Sequence, residues 1–135
     1  MFSHGTILIN REINEVFESL ADLRRQMPFW EMIHIPNLAD MEDGVKEVEG
    51  NYTLGHSVYS CIVELHLTRP PAGLVTHISW TSGELAAEWR IMQDGDRTRV
   101  EVNIEGRGGG LANSINLRQM TPKILQRLKE SFDKA

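Results

Sequence analysis

Apolar and polar residues alternate with a period of two over Ser57–Leu67, Leu74–Trp80, Leu85–Gln93 and Thr98–Gly106, which predicts four β-strands. Shorter runs at His4–Ile9, Ile35–Met41 and Val45–Glu49 predict three more. Behind the first strand, Ile13, Val16, Phe17 and Leu20 recur at helical spacing, so an amphipathic helix is expected there, with Asn10 as its cap. Met27, Phe29 and Trp30 around Pro28 predict a second short helix or a tight turn. From Leu111 to Phe132 the period is helical again, interrupted by Pro122, whose ring and missing N–H predict a kink or a restart behind a Thr121 cap.

The turns set an expected register. A two-residue turn at Asp94-Gly95 pairs Ile91 with Thr98, Trp89 with Val100, Ala87 with Val102 and Leu85 with Ile104, giving one apolar face. The opposite face then sets Glu88 against Glu101 and Arg90 against Arg99, which repel directly across and attract on the diagonals. A turn at Pro71-Ala72 pairs His66 with His77 and Glu64 with Ser79, and sends Tyr59, Cys61, Val63, Leu65, Thr76, Ile78 and Trp80 to the apolar side. Such a sheet needs a cover, and only the C-terminal helix is long enough to supply it.

Four glycines in the five positions from Gly106 to Gly110 precede that helix. A glycine-rich turn at a helix N-terminus can cradle phosphate. Here, however, Gly110 is followed by Leu111, Ala112 and Asn113 in place of the lysine and hydroxyl of a P-loop, and no βαβ unit surrounds it. The run is expected to be a hinge between the last strand and the last helix.

Composition narrows the class. A chain of 135 residues with 41% hydrophobic content fits one domain spanning residues 1–135. The N-terminal MFSHGT lacks a basic region leading into an apolar run, and Glu64 and His66 break the most apolar stretch, so neither a signal peptide nor a membrane span is expected. Cys61 is the sole cysteine, which excludes an internal disulfide and fits a reducing, cytoplasmic setting. A formal charge of −5 argues against a general nucleic-acid binder.

In its order of elements the chain resembles the START and birch-pollen-allergen superfamily (SRPBCC), and within it the polyketide cyclase/dehydrase and lipid-transport group. The resemblance runs through ILINREINEVFESLADL (7–23), Trp30, YTLGHSVY with Gly55, RPPAGLVTHISW (69–80), WRIMQDGDRTRVEV (89–102) and LQRLKESF (125–132), and so covers essentially the whole chain. It implies an α+β helix-grip fold: a curved antiparallel sheet of about seven strands around a long C-terminal helix, with two short helices after the first strand. It also implies a hydrophobic ligand, such as a lipid, quinone or polyketide, held between that helix and the sheet. Combined with the expected register, the lining would be Tyr59, Cys61, Leu65, Trp80, Ala87, Trp89, Ile91 and Val102 from the sheet. The last helix would add Ile115, Leu117, Ile124 and Leu128, with Phe17, Met27, Phe29 and Trp30 near one end.

This lining holds no carboxylate or histidine to act as acid or base, so binding without a metal or other cofactor is the first expectation. A cyclase- or aromatase-like enzyme that shapes an aromatic precursor is the alternative, with His34 and His56 on bordering loops as the acid–base candidates. His66, His77 and Glu64 have the residue types of a metal set, but on the outer face, where nothing encloses an ion. A third reading, an interaction module, draws on Ile62 and Met92 facing outward.

Overall fold

The computed structural model describes residues 2–54, 56–108 and 110–133, with the side chains of 54 and 110–116 left out of the description. Strand β1 (Phe2–Ile9) leads into helix α1 (Ile13–Leu20), helix α2 (Leu23–Gln26) and a 3-10 turn at Met27–Phe29. Six strands follow: β2 (Ile33–His34), β3 (Glu47–Leu54), β4 (Ser57–Arg69), β5 (Gly73–Trp80), β6 (Gly83–Asp94) and β7 (Arg97–Gly108). Helix α3 (Gly110–Asp133) closes the chain. The strands form one antiparallel sheet in the order β1-β7-β6-β5-β4-β3-β2, the helix-grip arrangement. Among the described residues, no helix is long and apolar enough to cross a membrane.

Both central hairpins are registered two residues away from the expected pairing. Asp94 pairs with Arg97 across a turn at Gly95 and Asp96, with Gly95 at φ 66°, so Ile91 meets Val100, Trp89 meets Val102 and Ala87 meets Ile104. The shift replaces the expected like-charge pairs: Arg90 now faces Glu101 and Met92 faces Arg99. In the β4–β5 hairpin Glu64 faces His77 and His66 faces Val75, because the pairing shifts between His66 and Arg69, next to a cis Pro70-Pro71 peptide. A displacement of two keeps every side chain on its face, so the inward set survives: Cys61, Val63, Leu65, Thr76, Ile78, Trp80, Ala87, Trp89, Ile91 and Val102 are all buried.

Three local expectations are corrected. Helix α1 is preceded by Glu12 at the cap position with no side-chain hydrogen bond, and Asn10 lies too far upstream to serve. The stretch Ile35–Met41 is not a strand: Pro36 removes a ladder donor, Asn37 takes a left-handed φ of 59°, and a 3-10 turn occupies Leu38–Asp40. Helix α3 also does not restart at Pro122. Thr121 Oγ1 donates to the Leu117 carbonyl, 2.9 Å away and one turn back, instead of capping a new segment.

Residues Leu117, Met120, Thr121, Ile124, Leu125, Leu128 and Phe132 are the buried stripe of α3, spaced by three and four. The helix lies chiefly on β1, β7 and the Met27–Phe29 turn. Gly5 permits the approach to β1, since a Cβ there would come within 2.6 Å of Leu125 Cδ1 and 3.0 Å of Thr121 Cγ2. Arg11 ties the other end down by donating to the Phe132 carbonyl at 2.8 Å. Within the glycine run, Gly108 is the last residue of β7 and Gly110 the first of α3. Gly108, at φ 79°, is a close-packed strand end: a Cβ there would lie 2.1 Å from the Ser82 carbonyl oxygen. Gly109 lies outside the described residues, as does Gly55 of the YTLGHSVY segment.

Candidate functional site

On the inner face one rung crosses five strands: Gly50 pairs with Cys61, Cys61 with Trp80, Trp80 with Gly83, and Gly83 with Gly108. Four of these five residues are small, and the indole of Trp80 uses the space. Its Cζ2 lies 2.9 Å from where a Gly83 Cβ would stand. Its ring stacks on Tyr52 with centroids 4.5 Å apart and planes 11° from parallel. The indole N–H of Trp80 is buried and has no hydrogen-bond acceptor among the described residues. Burial pushes the Tyr52 phenol up to about 12, helped by the neighbouring Cys61. Burial also pushes the Cys61 thiol up to about 11, against a backbone hydrogen bond at Gly50 that lowers it. At neutral pH Cys61 is therefore a protonated thiol and a poor nucleophile.

The other two tryptophans are committed to the core. Trp89 Nε1 donates to Thr76 Oγ1 at 3.1 Å, Thr76 Oγ1 donates to Gln26 Oε1 at 2.7 Å, and Trp30 Nε1 donates to the same Gln26 oxygen at 3.1 Å. Gln26 Nε2 then donates to the Leu20 carbonyl at 2.5 Å. This buried chain bolts α2 to β5 and β6. Sequence reasoning missed Gln26, whose one available signal was a polar residue directly before the apolar Met27–Trp30 run.

Of the expected lining, Met27, Trp30, Leu65, Ala87, Trp89, Ile91, Val102, Leu117, Ile124 and Leu128 are buried in the main core, with Phe17 packed partly buried against it. Tyr59 is half-buried on the inner face, across from Tyr52. The side chain of Ile115 lies outside the described residues. Phe29 borders a cleft of about 360 Å³ between α3 and the free edge of the sheet, which also touches Met32, Thr53, Met120, Lys123 and Arg127. A wider cleft of about 490 Å³ runs over β3, β4 and β5. Its side chains Glu49, Asn51, Ser60, Ile62 and Ser79 alternate with the buried Gly50, Cys61 and Trp80, so it opens on the outer face.

The remaining candidates disperse. His34 and His56 are exposed. His66 and His77 stand on different rungs, each beside its own carboxylate: Glu64 at 3.3 Å for His66 and Glu84 at 3.1 Å for His77. Among the described residues no group of three His, Cys, Asp or Glu side chains is placed to hold a metal. Ile62 and Met92 are exposed, on different strands of the outer face.

Together, the sheet order, the paired short helices and the long closing helix make this a START-like and birch-pollen-allergen-like helix-grip fold. The solved structure of a START superfamily protein from Mycobacterium smegmatis matches with a TM-score of 0.69 at 11% identity, covering 97% of this chain and 98% of that one. Ara h 8.0201 matches with a TM-score of 0.65 at 6% identity over 100% of this chain and 99% of its own. The di-domain ARO/CYC BexL from the BE-7585A biosynthetic pathway matches at 0.70 and 16% identity over 98% of this chain, which spans 46% of BexL. No protein-family model matches the sequence, and no curated protein does either.

Proposed function

We propose that the protein binds a hydrophobic or aromatic small molecule, of lipid, quinone or polyketide type, between α3 and the inner face of the sheet, acting as one domain in a reducing compartment. The observation that carries this reading is Trp80. A buried indole N–H without an acceptor among the described residues costs stability, and a ligand carbonyl or hydroxyl that reached it would complete its hydrogen bond. The stacked Tyr52 ring and the small residues of the same rung suit a flat or flexible apolar partner.

Binding is favoured over chemistry because, beside the Tyr52 phenol and the Cys61 thiol that burial keeps protonated, the buried polar side chains among the described residues are Ser19, Gln26, Thr76, Thr98 and Thr121, with no carboxylate, histidine or cation among them. Thr76 and Gln26 are already spent in the core network. A cyclase-type role has the likeness to BexL in its favour. Native mass spectrometry of the protein purified from its own host should show a noncovalent adduct in the mass range of a lipid, quinone or polyketide. A protein that emerges ligand-free and ignores a panel of fatty acids, quinones and aromatic polyketides would refute the reading.

A further inference from the structure

The cleft between α3 and the sheet edge has an apolar floor and a charged rim. Phe29 and Met120 are buried, Met32 is half-buried, and Lys123 and Arg127 stand above them on successive turns of α3. Both cations converge on one carboxylate: Glu31 Oε2 lies 3.8 Å from Lys123 Nζ and 3.3 Å from Arg127 Nη2. Arg127 Nη1 also donates to the Phe29 carbonyl at 3.3 Å, which holds the guanidinium at the mouth. Two positive charges face one negative charge here, in a chain whose formal charge is −5.

We infer that this cleft receives the carboxylate end of an amphiphilic ligand, and that Glu31 is the protein's own stand-in, displaced when the ligand arrives. The inference deepens the preceding reading, on which it rests, by giving the ligand an anionic end. The geometry already accommodates a carboxylate between the two cations, so a second carboxylate arriving on an apolar tail meets donors of the right kind. Displacing Glu31 is cheap: its side chain is 61% exposed, and ion pairs this exposed contribute little. The volume, about 360 Å³, is in the range of small-molecule sites.

Dodecanoate and dodecan-1-ol, which share a tail and differ in charge, test this by titration calorimetry at low ionic strength. The intact protein should bind dodecanoate roughly tenfold tighter than the alcohol, and added salt should shrink the difference. Lys123→Gln should remove most of that preference and preserve the melting temperature, because the Lys123 side chain is 59% exposed. Glu31→Gln should tighten dodecanoate alone by roughly twofold to fivefold, since it removes the internal competitor. Equal affinities for the two probes, or a Glu31→Gln variant indistinguishable from the parent, would overturn the carboxylate site while leaving hydrophobic binding in place. Binding of neither probe would overturn both.

Discussion

Cys61 and Tyr52 share a buried corner beneath Trp80, and their ionisation links this corner to stability. Below pH 8 both groups are protonated in the folded and the unfolded chain, so they make stability insensitive to pH. Above pH 9, the ordinary value for the thiol, the unfolded chain releases the Cys61 proton while the folded chain holds it to about 11. Tyr52 repeats the pattern between 10 and about 12. The unfolded state then binds fewer protons, and stability falls as pH rises, by about 1.4 kcal/mol per pH unit for each group across its window. The expected outcome is a melting temperature that is flat to pH 8 and declines between pH 9 and 11, with Cys61→Ala lessening the decline. A Cys61→Ala curve parallel to the parent's across that range would show that the thiol takes no part. Iodoacetamide, which needs thiolate, should label the folded protein far more slowly than the denatured chain at pH 8.5.

At the scale of elements, the short helix α2 owes its place to hydrogen bonds more than to length. Four residues cannot sustain a helix alone, yet Gln26 gathers Trp30, Thr76 and the Leu20 carbonyl around one buried amide. Gln26→Leu would strand the Trp30 N–H and the Thr76 hydroxyl, so a loss of about 2 to 4 kcal/mol in urea unfolding is expected. A loss below about 0.5 kcal/mol would mean that the polar chain is dispensable. This network also marks where the sequence stops being legible. Which face of each long strand points inward could be read directly, because alternation is a local property and a two-residue slip preserves it. The exact pairing could not, since Gly95 rather than Asp94 opens the tight turn and the Pro70-Pro71 turn shifts the β4–β5 ladder. The partners of Gln26 were equally hidden: Thr76 lies fifty residues away, and nothing local announces a contact at that separation. The rung of small residues under Trp80 was invisible for the same reason, as it exists only once five strands are aligned.

Across the whole molecule, α3 holds the β1–β7 side of the sheet while the β3–β4–β5 side presents Tyr52, Tyr59, Cys61 and Trp80 on its inner face. The division assigns different work to the three tryptophans. Trp30 and Trp89 are 1% and 0% exposed and have their N–H groups bonded within the core, so a ligand has little means of altering their surroundings. The Trp80 N–H, beside an aromatic stack, has no acceptor among the described residues. An acceptor reaching that N–H completes a hydrogen bond worth about 1 kcal/mol. Each additional 100 Å² of apolar surface covered adds about 2.5 kcal/mol before the costs of association. Titration with a quinone or an aromatic polyketide should therefore quench or shift the emission of the intact protein with micromolar or tighter affinity. Trp80→Phe should abolish most of that optical response and weaken binding roughly fivefold by removing the donor. Calorimetry on the same variant separates the two effects, because it detects binding without the indole. An optical response that survives Trp80→Phe undiminished would move the ligand away from this rung and toward one of the other two indoles.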